Sequence, residues 1–389
     1  MVKNISLLVP DLNGGATTRA YLLAQVLQKL GHGVKLYGLV FGEQIYPPPP
    51  ANLEIFALPG GSYPQIIPHL KELLSEISGD LIYACKPSPL SLGLALIKRW
   101  QTGIPVMLDM DDWEMSWHGG DEWEYHPTIR QLARDILKPK GALRDPHHPL
   151  YLQWSEKLIS QADALTVDTK FLQYRFGGTY LPNGKDTEIF NPNKFNSLAS
   201  REKYNLTDYR VLLFPGTARP HKGLEDILLA LEQLGEPAYR LVIVGGTEIN
   251  DGYVTQLLNK WGQWIIKLPQ FPPEAMPEII AAAHIFVVPQ RESLTAIAQF
   301  PIKLTEGMAM AKPILTTQVG DIPEIIGTTG YLVPPNSPEQ IATKIKWIWE
   351  NLDLANALGN QSRARCIELY SLDKMAVVLG KIIDRFSVA

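Results

Sequence analysis

The chain contains little cysteine and no long hydrophobic stretch. Its 389 residues include two cysteines, Cys85 and Cys366, which lie far apart in the sequence. This low content favours a reducing compartment and argues against a disulfide framework. The apolar run within residues 1–11 is too short for a signal peptide, and no other run approaches the roughly 18 residues of a membrane-spanning helix. We therefore expect a cytoplasmic protein, and peripheral membrane contact stays open.

The sequence also lacks the signatures of several function classes. Its net charge of −4 offers no overall attraction to nucleic acid, so we expect no nucleic-acid partner. No G-x-G-x-x-G motif with a downstream acid follows the first apolar run, which argues against a Rossmann-type dehydrogenase. Zinc is a weak hypothesis, because the histidines of the segment 118–148 lack the tight spacing of a metal site. These are His118, His126, His147 and His148.

The sequence does contain a regular alternation of apolar runs and amphipathic stretches. A length of 389 residues suits two domains of about 100–200 residues each. In the first part, Gly14-Gly15 opens a helix whose apolar residues recur every three or four positions. Predicted strands there cover residues 5–9, 34–37, 55–58, 81–84 and 106–108. This pattern predicts a parallel, doubly wound α/β sheet, which binds ligands at the carboxyl ends of its strands.

A second series of the same kind begins after a polar segment at about residues 191–208. Its predicted helix is Leu224–Leu234, and its predicted strands cover residues 211–214, 241–244, 265–266, 285–289 and 314–315. Two such series in one chain predict two Rossmann-like domains with a cleft between them.

The segment 299–326 has the most informative pattern. Pro301 fits the first turn of a helix, where its missing N–H costs nothing, and small residues follow at 307–311. The free amides and positive dipole of such a helix start favour a phosphate, and Glu306 could bind ribose hydroxyls beside it. The alternative is an amphipathic core helix with an exposed glutamate. A polar turn is predicted at 319–324.

Taken together, these motifs resemble the large family of retaining, nucleotide-sugar-dependent glycosyltransferases with the GT-B fold, the group 1 type. The motifs are Gly14-Gly15, residues 31–34, 181–186 with Phe190, 214–223, 242–245 and 301–324. None is specific alone, but their order and spacing match over most of the chain. The resemblance implies two facing Rossmann-like domains with an interdomain cleft. Residues 1–195 would form the acceptor side, with 371–389 as a returning helix, and residues 196–370 would bind the donor.

The resemblance also implies roles for single residues. Glu306 resembles the family's ribose-binding carboxylate and Lys222 its diphosphate-binding lysine. The family often has an arginine where Thr217 stands, so Arg219 is the candidate substitute; an exposed basic turn is the alternative for both cations. Such groups would offset charge on the leaving diphosphate, so we expect no metal and no cofactor. Further donor-binding candidates are Gly15, Gly216, Pro301, Ile302 and Lys303.

One position departs from the family pattern. Many relatives carry a second glutamate eight residues before the ribose-binding one, and here that position is Ala298, with Glu292 nearby. Some branches of the family keep a Pro-x-Lys-x-x-Glu form, which this chain matches. The departure puts the donor sugar in doubt more than the reaction. It also leaves open a protein that binds a nucleotide sugar without turning it over.

Asp109, Asp111 and Asp112 follow a predicted strand of the first domain and have two interpretations. An Asp-x-Asp holds a divalent ion in a different, single-Rossmann class of glycosyltransferases. In the resembling family this strand end lies near the sugar, which makes Asp111 and Asp112 candidate catalytic groups on the acceptor or sugar side. Asp109 is then structural, and helix capping remains an alternative.

The segment 113–149 resembles an insertion that would shape the acceptor site. Its tryptophans, Trp113, Trp117 and Trp123, could stack on sugars or lie at a lipid interface. The predicted reaction is transfer of a sugar, with retention of configuration, from a nucleotide diphosphate sugar to a saccharide, lipid or small-molecule acceptor. The alternatives are a nucleotide-sugar epimerase of the same fold and a non-catalytic nucleotide-sugar-binding partner subunit.

Overall fold

Two units make up the computed structural model, which describes residues 2–245 and 252–387. Unit 1 contains the residues up to Asn183, the segment Ala298–Phe300 and the C-terminal residues from Met375. Unit 2 contains Gly184–Ile297 and Pro301–Lys374. The division after Asn183 comes earlier than the predicted boundary after residue 195, because the segment after it bonds with unit 2. There the Lys185 amide donates to the Tyr370 carbonyl at 2.7 Å.

Unit 1 is built on a parallel sheet of seven strands in the order β3-β2-β1-β4-β5-β6-β7. The strands are β1 (Asn4–Val9), β2 (Gly33–Val40), β3 (Glu54–Pro59), β4 (Leu81–Cys85), β5 (Val106–Met110), β6 (Ala164–Val167) and β7 (Thr179–Tyr180). The central strands are buried and mostly apolar, as expected for a sheet covered on both faces. The strand order reverses between β1 and β4, the place where such sheets bind ligands.

The helices of unit 1 connect these strands and cover the sheet. They are α1 (Ala16–Lys29), α2 (Ile67–Glu76), α3 (Leu94–Thr102), α4 (Ile129–Leu137), α5 (Pro149–Glu156) and α6 (Lys170–Phe176). One core cluster joins Leu8, Ile82 and Leu108 of the sheet to helix residues such as Leu73 and Leu152.

Unit 2 has a parallel sheet of six strands in the order β10-β9-β8-β11-β12-β13, which reverses between β8 and β11. The strands are β8 (Arg210–Pro215), β9 (Tyr239–Val244), β10 (Ile265–Leu268), β11 (Ile285–Val288), β12 (Ile314–Thr317) and β13 (Tyr331–Val333). The helices are α7 (Ser197–Lys203), α8 (Leu224–Leu234), α9 (Gly252–Trp261), α10 (Met276–Ala281), α11 (Leu294–Ala298), α12 (Ile302–Ala309), α13 (Ile322–Ile326), α14 (Pro338–Glu350), α15 (Leu352–Tyr370) and α16 (Leu372–Ile383). The last of these runs from unit 2 into unit 1.

The structure confirms the predicted pair of doubly wound α/β sheets and corrects several details. Strands β6, β7 and β13 were not predicted, because they are only two to four residues long and carry no extended apolar run. The predicted turn at 319–324 instead leads into α13, where Pro323 lies in the first turn. The helix of small residues ends at Ala309, because Ala311 takes a left-handed φ of 53°.

The segment 113–149 is more than a loop, since it contains α4. Within the described residues, no helix is both long and apolar enough to span a membrane. Cys85 and Cys366 are free and buried, so neither takes part in a disulfide.

Candidate functional site

The loop after β8 brings two predicted donor-binding residues together. Gly216 has a φ of 129°, and its amide donates to the Val244 carbonyl at 2.6 Å. A Cβ on Gly216 would lie 1.9 Å from Cε of Lys303 and would clash with it. Only a glycine at this position leaves room for the lysine side chain. This contact joins the β8 loop to the first turn of α12.

A single helical turn, Pro220–Lys222, leads into α8. Arg219 precedes this turn, and Lys222 is its last residue. The Lys222 amide donates to the Arg219 carbonyl at 2.9 Å, and the Arg219 side chain is exposed. Burial, together with the charges of Lys222 and Arg219, lowers the pKa of His221 between them to about 4. His221 is therefore neutral near pH 7, and the positive charge of the turn comes from Arg219 and Lys222.

An arginine that the sequence did not single out holds this turn in place. Arg291 donates from Nε and Nη2 to Asp226 at 2.9 and 2.6 Å, and from Nη1 to Glu225 at 2.6 Å. Its backbone amide donates to the His221 carbonyl at 2.9 Å. Arg291 thus bonds both acids in the first turn of α8 and ties this helix start to the backbone of the basic turn.

Helix α12 carries the remaining predicted donor residues. Pro301 occupies the N-cap position rather than the first turn, and Ile302 is the first helical residue. Gly307 lies on the buried side of α12, where a Cβ would approach the Phe286 ring within 2.6 Å. Close packing on β11 therefore explains the glycine, and it sets the position of Glu306 next to it.

Glu306 is paired with a lysine whose role the sequence did not reveal. Nζ of Lys185 donates to Oε1 of Glu306 at 2.9 Å, and the two side chains are 14% and 17% exposed. Burial lowers the pKa of Lys303, Glu306 raises it, and Lys185 lowers it, so the three charges act on one another. Lys185 lies in the motif at 181–186, and its position within that motif was the only signal that could have identified it.

In unit 1, Gly15 is the N-cap of α1 and makes no side-chain capping bond. A Cβ on Gly15 would meet nothing within 4 Å, so the space beside this helix start is open. The prediction that its amides contact a phosphate stays a prediction.

A buried ion pair lies beneath the strand ends of unit 1. Arg19 donates from Nε and Nη2 to the two carboxylate oxygens of Asp109 at 2.9 and 2.8 Å, and both side chains are almost fully buried. Nη1 of Arg19 donates to Asn183 at 3.1 Å, and Thr166 Oγ1 donates to Asp109 at 2.6 Å. Burial acts to lower the pKa of Arg19, but Asp109 more than offsets it and the pKa is raised. Asp109 is thus held by Arg19 in the interior of unit 1.

Asp111 and Asp112 lie just beyond β5. Burial raises the pKa of Asp111 to about 6, although the Lys86 ammonium, 3.8 Å away, opposes the shift. Asp112 accepts from Trp117 Nε1 and Gln299 Nε2, each at 2.8 Å, and burial raises its pKa as well. Its other oxygen, Oδ1, is buried and has no hydrogen-bond partner in the described structure. A buried carboxylate with one unsatisfied oxygen is suited to bind a hydroxyl.

The three tryptophans of the segment 113–149 have different surroundings. Trp113 is only 2% exposed and donates to Glu156 at 2.8 Å, so it belongs to the core of unit 1 and cannot stack on a sugar. Trp117 is 51% exposed and bonds Asp112. Trp123 stacks with Tyr125 at an interplanar angle of 5°. The stacking hypothesis is therefore wrong for Trp113.

Ala298 occupies the position where many family members carry a second glutamate. It is fully buried and packs in the core cluster of unit 1. Glu292, the other acid considered, is exposed.

Comparison with known proteins shows similarity to glycosyltransferases. The D-rhamnosyltransferase WbpZ of Pseudomonas aeruginosa is 28% identical over 63% of this chain, but the match spans only 64% of that protein. A GDP-mannose-dependent phosphatidylinositol monomannoside mannosyltransferase of Mycolicibacterium smegmatis is 26% identical over 77% of this chain and 75% of its own length. Anabaena HepE, solved in complex with UDP-glucose, superposes with a TM-score of 0.75 at 16% identity over 98% of this chain and all of that one, which shows the same GT-B fold. Residues 196–365 match the family described as glycosyl transferases group 1. The chain thus has the GT-B fold, and its residues 196–365 are similar to the group 1 glycosyltransferases.

Proposed function

We propose that the protein transfers a sugar from a nucleotide diphosphate sugar to a saccharide, lipid or small-molecule acceptor, with retention of the anomeric configuration. The observation that carries this proposal is the contact of Lys303 with Gly216. It joins the basic turn of Arg219 and Lys222 to the helix that presents Glu306. A diphosphate needs several cations, and a ribose needs one hydrogen-bond acceptor beside them.

In the proposed complex the ribose hydroxyls donate to Glu306. Lys185 already holds this carboxylate at 2.9 Å, so it fixes the side chain before the donor arrives. Arg219 and Lys222 contact the diphosphate beside Gly216, with Lys303 and the start of α12 at Pro301 and Ile302 nearby. Gly15 of unit 1 supplies further amides to phosphate.

The proposed reaction breaks the bond between the anomeric carbon and the diphosphate oxygen and forms one from that carbon to the acceptor oxygen. The departing diphosphate keeps the electron pair of the broken bond and takes the acceptor's proton. Lys222 and Arg219 stabilise its growing negative charge. Asp111 and Asp112 remain the proposed groups for the acceptor or the transferred sugar.

No metal or cofactor is part of this proposal. Both oxygens of Asp109 are already held by Arg19, and the Lys86 ammonium lies 3.8 Å from Asp111. These protein cations near Asp109 and Asp111 support a proposal without a divalent ion. We expect transfer to survive EDTA, with activity within about twofold of the untreated protein, because the diphosphate has protein cations and helix starts to balance it. Loss of activity that manganese or magnesium restores would instead make the aspartates metal ligands.

A donor panel tests the proposal without knowledge of the acceptor. The protein is screened by thermal shift with GDP-mannose, UDP-glucose and related nucleotide sugars, since the relatives differ in the nucleotide they use. A donor at 100 times its Kd should add about 2.7 kcal/mol of stability to the protein. Glu306→Gln is the matched variant and should reduce the shift.

The stabilising donor is then incubated, labelled, with and without candidate acceptors. Transfer to an acceptor supports the proposal, and the anomeric configuration of the product tests retention. Interconversion of the sugar without acceptor would identify an epimerase. Donor binding without transfer to any acceptor would identify a non-catalytic partner subunit.

A further inference from the structure

Helix α4 presents an apolar face that nothing in the described structure covers. Ile129 is 89% exposed, Leu137 is 75% exposed and Ile136 is 50% exposed. With Leu132 and Ala133 these residues recur at the spacing of one helix face. An amphipathic helix in a globular protein normally turns such a face to the core. Here Ile129 and Leu137 are largely exposed, and Leu132, at 38% exposed, lies at the edge of a groove.

The polar side of α4, and not its apolar side, attaches it to unit 1. Thr128 and Gln131 form a capping box at its start, which satisfies the free amides of the first turn. Asp135 is the buried residue of the helix and accepts from the Tyr125 hydroxyl at 2.9 Å. A Cβ on Gly141 would lie 2.2 Å from the Asp135 carbonyl, so the following turn packs tightly there. The outward orientation is therefore built in, and α4 is not a displaced core helix.

The apolar face continues into a groove of about 790 Å³ beside α4. Its walls are mainly aromatic and aliphatic and include Tyr63, Tyr125, Leu132, Leu143, Tyr151 and Trp154. Trp154 is 52% exposed at this groove. Aromatic rings with one polar end are common where a protein meets the lipid headgroups of a bilayer.

The charges on α4 and in the turn after it are mainly positive. Residues 128–144 contain five basic residues and one acid, a local charge of +4, whereas the whole chain carries −4. The acid is Asp135, which is buried and bonded to Tyr125 and Arg134. Arg130, Arg134 and Lys138 recur every four residues along α4, so they form a basic flank beside the apolar face. Lys140 and Arg144 follow.

We propose that α4 and its groove, with this basic flank, dock the protein on an anionic phospholipid membrane. The helix lies in the plane of the interface, with Ile129, Ile136 and Leu137 in the lipid and the cations on the headgroups. An exposed apolar face with a basic flank has the composition of interfacial helices. A protein partner is less suited, because it would have to match this mainly basic flank with acids. The proposal does not depend on the proposed transfer reaction.

Vesicle co-sedimentation tests this proposal with the full-length protein. Vesicles of phosphatidylcholine alone are compared with vesicles containing phosphatidylglycerol, at low and high salt. We expect binding to the anionic vesicles that weakens with salt, and much weaker binding to phosphatidylcholine alone. The double variants Ile129→Gln/Leu137→Gln and Arg130→Glu/Lys138→Glu should each lower the partition coefficient at least about tenfold. Circular dichroism and thermal unfolding confirm that both variants fold.

Matched controls come from exposed residues elsewhere in the chain. Trp100→Gln removes another exposed apolar side chain of unit 1, which is 86% exposed. Lys71→Glu/Lys374→Glu reverses two other exposed cations. Both controls should leave binding unchanged. The proposal is overturned if no vesicle binds, if binding ignores lipid charge, or if the controls act as strongly as the α4 variants. It is also overturned if sedimentation velocity shows self-association that the α4 variants abolish, which would make the face a contact between copies.

Discussion

The two units handle charge in opposite ways. In unit 2 the cations Lys185 and Lys303 lie beside one carboxylate, Glu306, and the turn after β8 carries Arg219 and Lys222. The strand ends of unit 1 gather carboxylates, Asp109, Asp111, Asp112 and Asp168, near the cations Arg19 and Lys86. A cationic site suits a diphosphate, and an acidic one suits hydroxyls. The same doubly wound topology thus supports two different chemistries, and the side chains at the strand ends decide which.

The units also differ in how much their charged side chains contribute to the stability of the fold. In unit 1 the Arg19–Asp109 pair is almost fully buried and satisfied within the protein. In unit 2, Arg219 is exposed, and Glu306 and Lys185 are partly exposed. Buried charges stabilise only while both partners are present, whereas exposed ones are available to a ligand. Variants at the buried charges of unit 1 should therefore change the free energy of unfolding most. Variants at the exposed charges of unit 2 should mainly change activity.

The largest effect is expected from Arg19→Met. It leaves the Asp109 carboxylate buried without its cation, which should cost about 3–5 kcal/mol in the free energy of unfolding. Equilibrium urea denaturation measures this loss. Lys35→Met is the matched control, because Lys35 pairs with Glu54 at 2.7 Å on the exposed surface. An equal, small loss in both variants would show that burial does not matter to the Arg19 pair.

A pH-dependent effect of nearly this size is expected from Asp111. Its pKa is about 6 in the folded protein against an ordinary value of 3.8, because burial favours the neutral acid. The folded state therefore holds the proton to higher pH than the unfolded chain. The resulting stability is complete below about pH 4 and is lost as the pH rises through about 6.

Two pKa units correspond to about 3 kcal/mol. Asp111→Asn should remove that part of the pH dependence, whereas Glu72→Gln, at an exposed position, should leave it unchanged. Urea denaturation at pH 4, 5, 6 and 7 gives the comparison. A variant whose stability still falls as steeply as that of the wild type would show that Asp111 is not the titrating group.

In unit 2, Glu306→Gln should lower kcat/KM for the donor by about 2–3 kcal/mol, as for hydrogen bonds to a charged group. This is on the order of 30–150-fold. Lys185→Met is the companion variant and should have a smaller effect on its own. The double variant should lose less than the sum of the two, because Lys185 acts through its bond to Glu306. Unchanged kinetics in a folded Glu306→Gln variant would remove this residue from the site.

The smallest effect is expected from the basic turn. Arg219→Ala and Lys222→Ala should each lower kcat by about 1.5 kcal/mol and weaken donor binding less, because the diphosphate gains charge as its bond breaks. Steady-state kinetics and donor titration separate the two quantities. If both variants changed only KM, the cations would bind the donor without assisting its departure.

Much of unit 2 could be predicted from local sequence. Helix α8 was predicted with its observed bounds, Leu224–Leu234, because it has a glycine at each end and an apolar face between them. Gly216, Lys303 and Glu306 were also placed in the candidate site from their motifs. These features depend on residues close together in the chain, so local patterns reveal them.

Other features depend on contacts between distant segments. Lys185 meets Glu306 across 121 positions of sequence, and Gln299 meets Asp112 across 187. The burial of Trp113, which removes it from the list of sugar-stacking residues, arises from packing against elements such as α6. No local pattern distinguishes a tryptophan in the core from one at the surface.

The sequence by itself determined the doubly wound α/β class of both units, because hydrophobic period and glycine positions are local properties. Only the tertiary structure decided which charges neutralise one another. It paired Asp109 with Arg19 and Glu306 with Lys185, and it turned the apolar face of α4 outward. The reason is that burial and electrostatic partners are set by three-dimensional neighbours, which the order of residues along the chain does not display.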